Sequence, residues 1–232
     1  MNRKIIFEDL GVCEYKKAWE YQENRMQRVV GQKMMKKSNP VQESENYLLF
    51  VEHPHVYTLG KSGDEHNLLL NYIQLQAADA AFFHTDRGGD ITYHGPGQIV
   101  GYPIIDLENF GLGLRKYIFL LEETIIQTIA HFGLTGMRDE KATGVWLETG
   151  TASARKICAI GVKSSRFVTM HGFALNVNTN LTYFQHINPC GFIDRGVTSL
   201  QKELGQILDF ENVKQIVRSC FYSVFEAEML PV

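Results

Sequence analysis

A glycine-rich stretch at residues 87–98 departs most clearly in composition from an ordinary turn. It reads Arg-Gly-Gly-Asp-Ile-Thr-Tyr-His-Gly-Pro-Gly-Gln and so contains four glycines among polar and aromatic residues. Because glycine has no Cβ, such a backbone adopts positive φ angles and approaches a ligand closely. The stretch has neither the Gly-Lys-Ser/Thr of a phosphate-binding loop nor the spacing of a dinucleotide-binding turn. It is compatible with a tight structural turn, and we favour a loop that binds substrate.

Cys190 stands between a proline and a glycine, in Asn-Pro-Cys-Gly at residues 188–191. A turn of this kind can expose the sulfur and direct backbone N–H groups toward an anion. Acyl transfer through a thiol needs both features, a nucleophile and donors for the oxyanion. On this fragment alone, a catalytic cysteine and a structural turn cysteine are equally good interpretations.

A reactive thiol also needs a partner, because a cysteine with a pKa near ~8.5 is mostly protonated at neutral pH. Lys156 and His171 are the candidates. Lys156 lies in the apolar run Lys-Ile-Cys-Ala-Ile, where a buried ammonium must be paired or deprotonated, although an edge-strand lysine can also extend into solvent. Cys158 is two residues further on and is expected on the same strand face, so it is a rival nucleophile.

Composition excludes several classes of protein. The histidines lack metal-ligand spacing and the four cysteines form no Cys-x-x-Cys pair, so we expect neither a metal site nor a disulfide framework. The net charge of −3 disfavours nucleic acid as a partner. No apolar run approaches the ~20 residues that span a bilayer. The N-terminus becomes acidic too early for a signal peptide. We therefore expect a soluble, cytoplasmic monomer with no membrane partner.

Hydrophobic periodicity predicts strands mixed with helices, and the absence of repeats and of a visible linker predicts one domain, residues 1–232. Short polar joins predict that the last three strands form an antiparallel meander, and the mixture indicates an α+β fold. The predicted strands cover residues 3–8, 47–52, 56–60, 81–85, 98–106, 144–148, 155–162 and 167–177, and the predicted helices cover residues 14–35, 68–78, 113–131 and 212–225.

Five segments together resemble one known family. In chain order they are residues 52–60, 87–98, 155–161, 171–178 and 188–191, within a motif-bearing core of about residues 47–200. Their sequences are similar to those of the lipoyl(octanoyl) transferase family of bacterial lipoate biosynthesis. The resemblance implies a biotin/lipoate protein ligase-like fold, with a larger mixed β-sheet, a smaller sheet and flanking helices.

The resemblance also implies roles for individual residues. Cys190 would be the acyl-thioester nucleophile, and Lys156 the partner that lowers its pKa and serves as base. No cofactor and no metal would be needed, because a thioester donor is already activated. The acyl-substrate pocket would be lined by Arg87, Gly88, Gly89, Asp90, Ile91, Thr92, Tyr93, His94, Ala159, Ile160, Gly161, Gly172, Phe173 and Ala174.

The implied donor is octanoyl-acyl carrier protein. The implied acceptor is a lysine of lipoyl domains in 2-oxoacid dehydrogenase complexes or of the glycine-cleavage H protein. An ATP-dependent lipoate- or biotin-type protein ligase is the nearest alternative, although such an adenylating enzyme has no use for the nucleophile in Asn-Pro-Cys-Gly. A non-catalytic acyl-binding module is the alternative from another class.

Overall fold

The computed structural model describes residues 2–36, 43–188 and 196–230. Within these residues the chain forms twelve strands and five α-helices. The strands are β1 (Lys4–Val12), β2 (Tyr47–Glu52), β3 (Val56–Leu59), β4 (Ala81–His84), β5 (Ile91–His94), β6 (Gln98–Ile104), β7 (Met137–Arg138), β8 (Gly144–Leu147), β9 (Arg155–Ser165), β10 (Val168–Asn176), β11 (Gly196–Val197) and β12 (Glu228–Met229). The α-helices are α1 (Tyr15–Lys36), α2 (Tyr72–Ala77), α3 (Leu114–Ala130), α4 (Leu200–Leu204) and α5 (Phe210–Val224).

Nine of these strands form one mixed sheet in the order β12-β1-β2-β6-β10-β9-β8-β7, with β11 paired to β9. Helices cover both of its faces, and β2 shows how the sequence achieves this. Leu48 and Phe50 belong to the core on the side of α3 and α5, whereas Leu49 and Val51 belong to the core on the side of α1. A strand buried on both faces is a continuous apolar run, as β2 is.

The remaining strands form a smaller sheet in the order β4-β3-β5. The middle strand pairs in parallel with β4 and antiparallel with β5. Its core of aromatic and aliphatic side chains packs against a 3₁₀ segment, Leu181–His186. Strand β5 lies inside the glycine-rich stretch, so the prediction of a loop over that whole stretch is wrong.

The architecture confirms the predicted α+β fold with a larger mixed sheet and a smaller sheet. Strands β8, β9 and β10 are successive antiparallel neighbours, which confirms the predicted meander. The helix predicted at residues 68–78 is wrong in extent. It is a short α2, which a reciprocal capping pair between Asn71 and Gln74 starts only at Tyr72. No helix within the described residues is long and apolar enough to cross a bilayer.

Candidate active site

A large cavity opens between the two sheets. Its volume is about 1310 Å³, above the ~300–1,000 Å³ typical of small-ligand sites. Strands β9 and β10 supply one wall, the glycine-rich stretch supplies another, and the 3₁₀ segment Leu181–His186 contributes to a third. A cavity of this size has room for an acyl chain together with the group to which it is attached.

The structure brings nearly all of the sequence-predicted pocket residues to this cavity. Those on its wall are Arg87, Gly88, Gly89, Asp90, Ile91, Thr92, His94, Ala159, Ile160, Gly161, Gly172, Phe173 and Ala174, and Lys156 lies there too. Tyr93 is the exception. Its side chain packs in the core of the smaller sheet, away from the face that Thr92 and His94 present to the cavity. Its ring instead stacks on Tyr183 with 4.9 Å between the ring centroids.

Glycines allow the stretch to lie directly on strand β9. The Gly88 amide donates to the Val162 carbonyl over 2.9 Å. A Cβ on Gly161 would stand 2.8 Å from the Gly88 carbonyl oxygen, and a Cβ on Gly60 would stand 2.3 Å from that of Gly89. The stretch is therefore held between two backbones that leave no room for a side chain.

Buried polar side chains fix this stretch at its first residues. The Arg87 guanidinium donates to the Thr58 carbonyl over 2.6 Å and to the Thr58 hydroxyl over 2.9 Å. The preceding residue, Asp86, accepts a hydrogen bond from Nε2 of His171 over 2.8 Å and also pairs with Lys163. The hydrogen bond from His171 has the larger effect and the pairing with Lys163 a smaller one. Together they hold the pKa of the Asp86 carboxyl well below its usual range. The stretch is thus tied to both sheets.

His171, one of the two candidate partners for a reactive thiol, lies on the cavity wall in the middle of β10. Its backbone has φ of 59°, a conformation that strains a non-glycine residue. Burial lowers the pKa of its imidazole, against the opposing effect of Asp86. Because its Nε2 bonds to Asp86, the His171 imidazole helps to anchor the glycine-rich stretch.

A buried amide network sets the orientation of His94. Gln98 donates through Nε2 to Oδ1 of Asn176 over 2.9 Å, so its Oε1 faces the imidazole. Oε1 therefore accepts from Nδ1 of His94 over 2.8 Å. Burial holds the pKa of His94 well below its ordinary value. Burial thus favours the neutral ring, and the contact with Oε1 of Gln98 favours the tautomer that carries its proton on Nδ1.

Lys156 reaches the cavity beside two neighbours. Its ammonium lies 4.6 Å from the centroid of the Trp146 ring and donates to the Thr143 carbonyl over 3.3 Å. Gly144 lies between these residues, where an added Cβ would stand 3.5 Å from Cε of Lys156. That is an ordinary contact distance; the close approach at Gly144 is to the Cys158 carbonyl oxygen, which an added Cβ would meet at 2.5 Å.

The expectation that Cys158 shares the face of Lys156 is wrong. A β-bulge interrupts the pairing of β8 with β9. Lys156 lies opposite Trp146, and Cys158 lies opposite Val145. Ile157, between Lys156 and Cys158, is therefore the extra residue. The bulge turns Cys158 into the core between the large sheet and α3, where it is fully buried. Burial raises the pKa of its thiol far above the usual value. Cys158 is therefore poorly suited to be a nucleophile.

Cys190 lies outside the described residues, but the positions on either side of that gap belong to the cavity. Asn188 and Gly196 both line it. The Asn188 amide donates to the Asn67 carbonyl over 2.8 Å, and Val197 lies opposite Lys156 in the pairing of β11 with β9. Among the described residues, no group of three histidine, cysteine or acidic side chains is arranged to hold a metal ion.

Sequence reasoning missed Tyr15, the first residue of α1. Its side chain lines the cavity, is only 3% exposed, and lies nearly parallel to His94 at 6.1 Å between ring centroids. Its hydroxyl bonds to Thr85, and burial raises its pKa. Helical periodicity places Tyr15 on the buried face, but nothing in the local sequence connects it to Thr85 and His94, which are 70 or more positions away.

Comparison with known proteins agrees with this geometry. The family model described as the lipoyl protein ligase A/B catalytic domain matches residues 14–222. The octanoyltransferase of Flavobacterium johnsoniae is 57% identical over 99% of this chain and 100% of its own length. The chain belongs to the octanoyltransferase family. The octanoyltransferase of Flavobacterium psychrophilum is 54% identical over the same shares of both chains. The enzyme is therefore an acyltransferase of lipoate biosynthesis, which confirms the resemblance.

Solved structures show the same fold at low sequence identity. A bipartite lipoate protein ligase from Thermoplasma acidophilum is similar with a TM-score of 0.64 and 13% identity, over 99% of this chain and 87% of that one. A biotin protein ligase from Aquifex aeolicus, solved with biotin and ATP, has a TM-score of 0.51 and 13% identity over 97% and 71% of the two chains. These likenesses confirm the ligase-like fold.

Proposed function

We propose that Cys190 accepts an octanoyl group from octanoyl-acyl carrier protein as a thioester and passes it to a lysine of a lipoyl domain. Lys156 is the base that takes the proton from the Cys190 thiol. Residues 87–94 other than Tyr93, together with residues 159–161 and 172–174, bind the acyl substrate. Acceptors are the lipoyl domains of 2-oxoacid dehydrogenase complexes and the glycine-cleavage H protein.

The observation that carries this proposal is the position of Lys156 on the cavity wall beside β11. Val197 pairs with Lys156, and the Thr198 amide donates to the Lys156 carbonyl over 2.9 Å.

Asn188 and Gly196, which flank the segment containing Cys190, also line the cavity. The rival thiol of Cys158 faces the core, which further favours Cys190.

The chemistry proceeds in two balanced acyl transfers. In the first, the Cys190 proton passes to Lys156, the thiolate attacks the donor carbonyl, and the carbon–sulfur bond to the carrier breaks. Lys156 then protonates the departing carrier thiolate. In the second, Lys156 takes a proton from the acceptor amine as that amine attacks the acyl-cysteine. An amide forms and the Cys190 sulfur leaves, regaining the proton. These two steps consume no ATP and require no metal ion.

The acyl chain occupies the apolar part of the cavity. The wall there includes the apolar side chains of Val100, Ile160, Val162 and Phe173. Two small residues, Ala159 and Ala174, pair across β9 and β10 on the same wall. Burial stabilises by about 0.8 kcal/mol for each methylene. A chain shortened by two carbons therefore loses about 1.6 kcal/mol of binding, or roughly a factor of 15.

Single-residue variants test the proposal. The wild-type enzyme should transfer octanoyl from carrier protein to a lipoyl domain without ATP. Cys190→Ala should abolish the transfer, Lys156→Met should slow it at least 100-fold, and Cys158→Ala should retain it. Formation of product from free octanoate only when ATP is added would instead identify a ligase mechanism and overturn the proposal. Activity that survives in Cys190→Ala and is lost in Cys158→Ala would also overturn it.

A further inference from the structure

Trp146 forms the surface on which the Lys156 ammonium rests. The two residues are direct partners across β8 and β9, and Nζ lies 4.6 Å from the centroid of the indole ring. Trp146 is only 3% exposed and faces the cavity. Val145 and Leu147, its neighbours along the strand, pack into the core on the opposite face of the sheet.

Hydrogen bonds hold both partners in this arrangement. The indole N–H donates to the Ala142 carbonyl over 2.9 Å, which fixes the plane of the ring. The next carbonyl along the same turn, that of Thr143, accepts from Nζ of Lys156 over 3.3 Å. The electron-rich face of an indole attracts a cation, and a carbonyl oxygen accepts from it. Both contacts stabilise the ammonium form that Lys156 takes on when it accepts a proton.

We propose that Trp146 is a positioning residue of the acyl transfer. Its ring holds the Lys156 side chain on the cavity wall and stabilises the ammonium that forms when the Cys190 proton moves from Sγ to Nζ. This inference rests on the proposed roles of Cys190 and Lys156. Because the ring holds the ammonium in place, its positive charge favours the Cys190 thiolate over the thiol and lowers the pKa of that thiol.

A cation–π role is distinguishable from simple packing. Packing requires a side chain of suitable volume, so leucine or phenylalanine would serve in part. A cation–π contact requires a ring, and its strength decreases from Trp to Phe and disappears in Leu. The two roles therefore predict different orders of effect on the ionisation of the thiol.

The test measures the rate of Cys190 alkylation by iodoacetamide against pH, followed on the Cys190 peptide by mass spectrometry. For Trp146→Leu the apparent thiol pKa should rise by about one unit, so alkylation below that pKa should slow about tenfold. Trp146→Phe should show a smaller rise. Leu147→Ala, on the same strand but facing the core, should lower the melting temperature and leave the pH profile unchanged.

The outcomes separate this inference from the function on which it rests. A shifted profile in Lys156→Met and an unshifted one in Trp146→Leu would overturn the role of Trp146 alone. An unshifted profile in Lys156→Met would overturn the proposed role of Lys156 as well. If Trp146→Leu fails to fold, Trp146→Phe carries the test, and a profile identical to wild type would overturn the inference.

Discussion

A single methyl group at Gly161 should disturb the site without touching any reacting atom. In Gly161→Ala the new Cβ would lie 2.8 Å from the Gly88 carbonyl oxygen, whereas ordinary contacts begin at 3.4 Å. The Gly88 backbone must therefore move by about 0.6 Å. It has little freedom to do so, because its amide is bonded to Val162 and the adjacent Arg87 is bonded to Thr58. The displacement should be transmitted to the wall of the substrate pocket.

Misplacement of a substrate-positioning group by 1 Å can reduce a rate about 100-fold, so we expect kcat/KM for octanoyl-carrier protein to fall about tenfold. Overpacking should also lower the free energy of unfolding by about 1–3 kcal/mol. The assay is steady-state transfer to a lipoyl domain, at a temperature well below the melting point of both proteins. A kcat/KM within twofold of wild type would refute the tight docking of Gly88 on β9.

Three further variants probe independent features of the structure. In Gly31→Ala the new Cβ on α1 meets nothing within 4 Å, so the free energy of unfolding should rise by about 0.5–1 kcal/mol in urea titrations and kcat/KM should stay unchanged. A loss of stability would contradict the open environment of that position. Cys158→Ala should lower that free energy by about 1 kcal/mol in the same titrations, because a buried core atom is removed, and inactivation would contradict its assignment to the core. Burial lowers the pKa of His53 to about 4 from 6.5, so its neutral form contributes stability that is complete above pH 6.5 and is lost as the pH falls toward 4. Between pH 6.5 and pH 4 the free energy of unfolding should fall by about 3 kcal/mol more in wild type than in His53→Gln. Parallel plots of this free energy against pH for the two proteins would contradict the burial argument.

Local sequence patterns predicted the longer strands and helices well because those elements depend on nearby residues. The apolar run of β2 and the periodicity of α3 each correspond to an observed element. The glycines of the motif segments correspond to places where two backbones meet, as at Gly88 and Gly161. Family membership and the ligase-like fold were predicted from the same segments and are confirmed. The roles of Cys190 and Lys156 stay predictions.

Features that depend on tertiary geometry could not be predicted in this way. The alternation rule placed Cys158 beside Lys156, but the bulge at Ile157 reverses the face of every residue beyond it on that strand. Strand β5 was hidden because glycines and polar residues flank only four strand residues. Tyr15 joins the site only because α1 packs across the large sheet and brings its first turn to the cavity.

The most direct measurement is to locate the acyl group on the enzyme. After brief mixing of the wild-type enzyme with octanoyl-carrier protein and no acceptor, acid quenching and peptide mapping should find one octanoyl group, bound as a hydroxylamine-sensitive thioester to Cys190. Adding a lipoyl domain before the quench should move that group to the acceptor lysine. Octanoylation of another cysteine, or complete transfer with no acyl-enzyme at any time, would contradict the account.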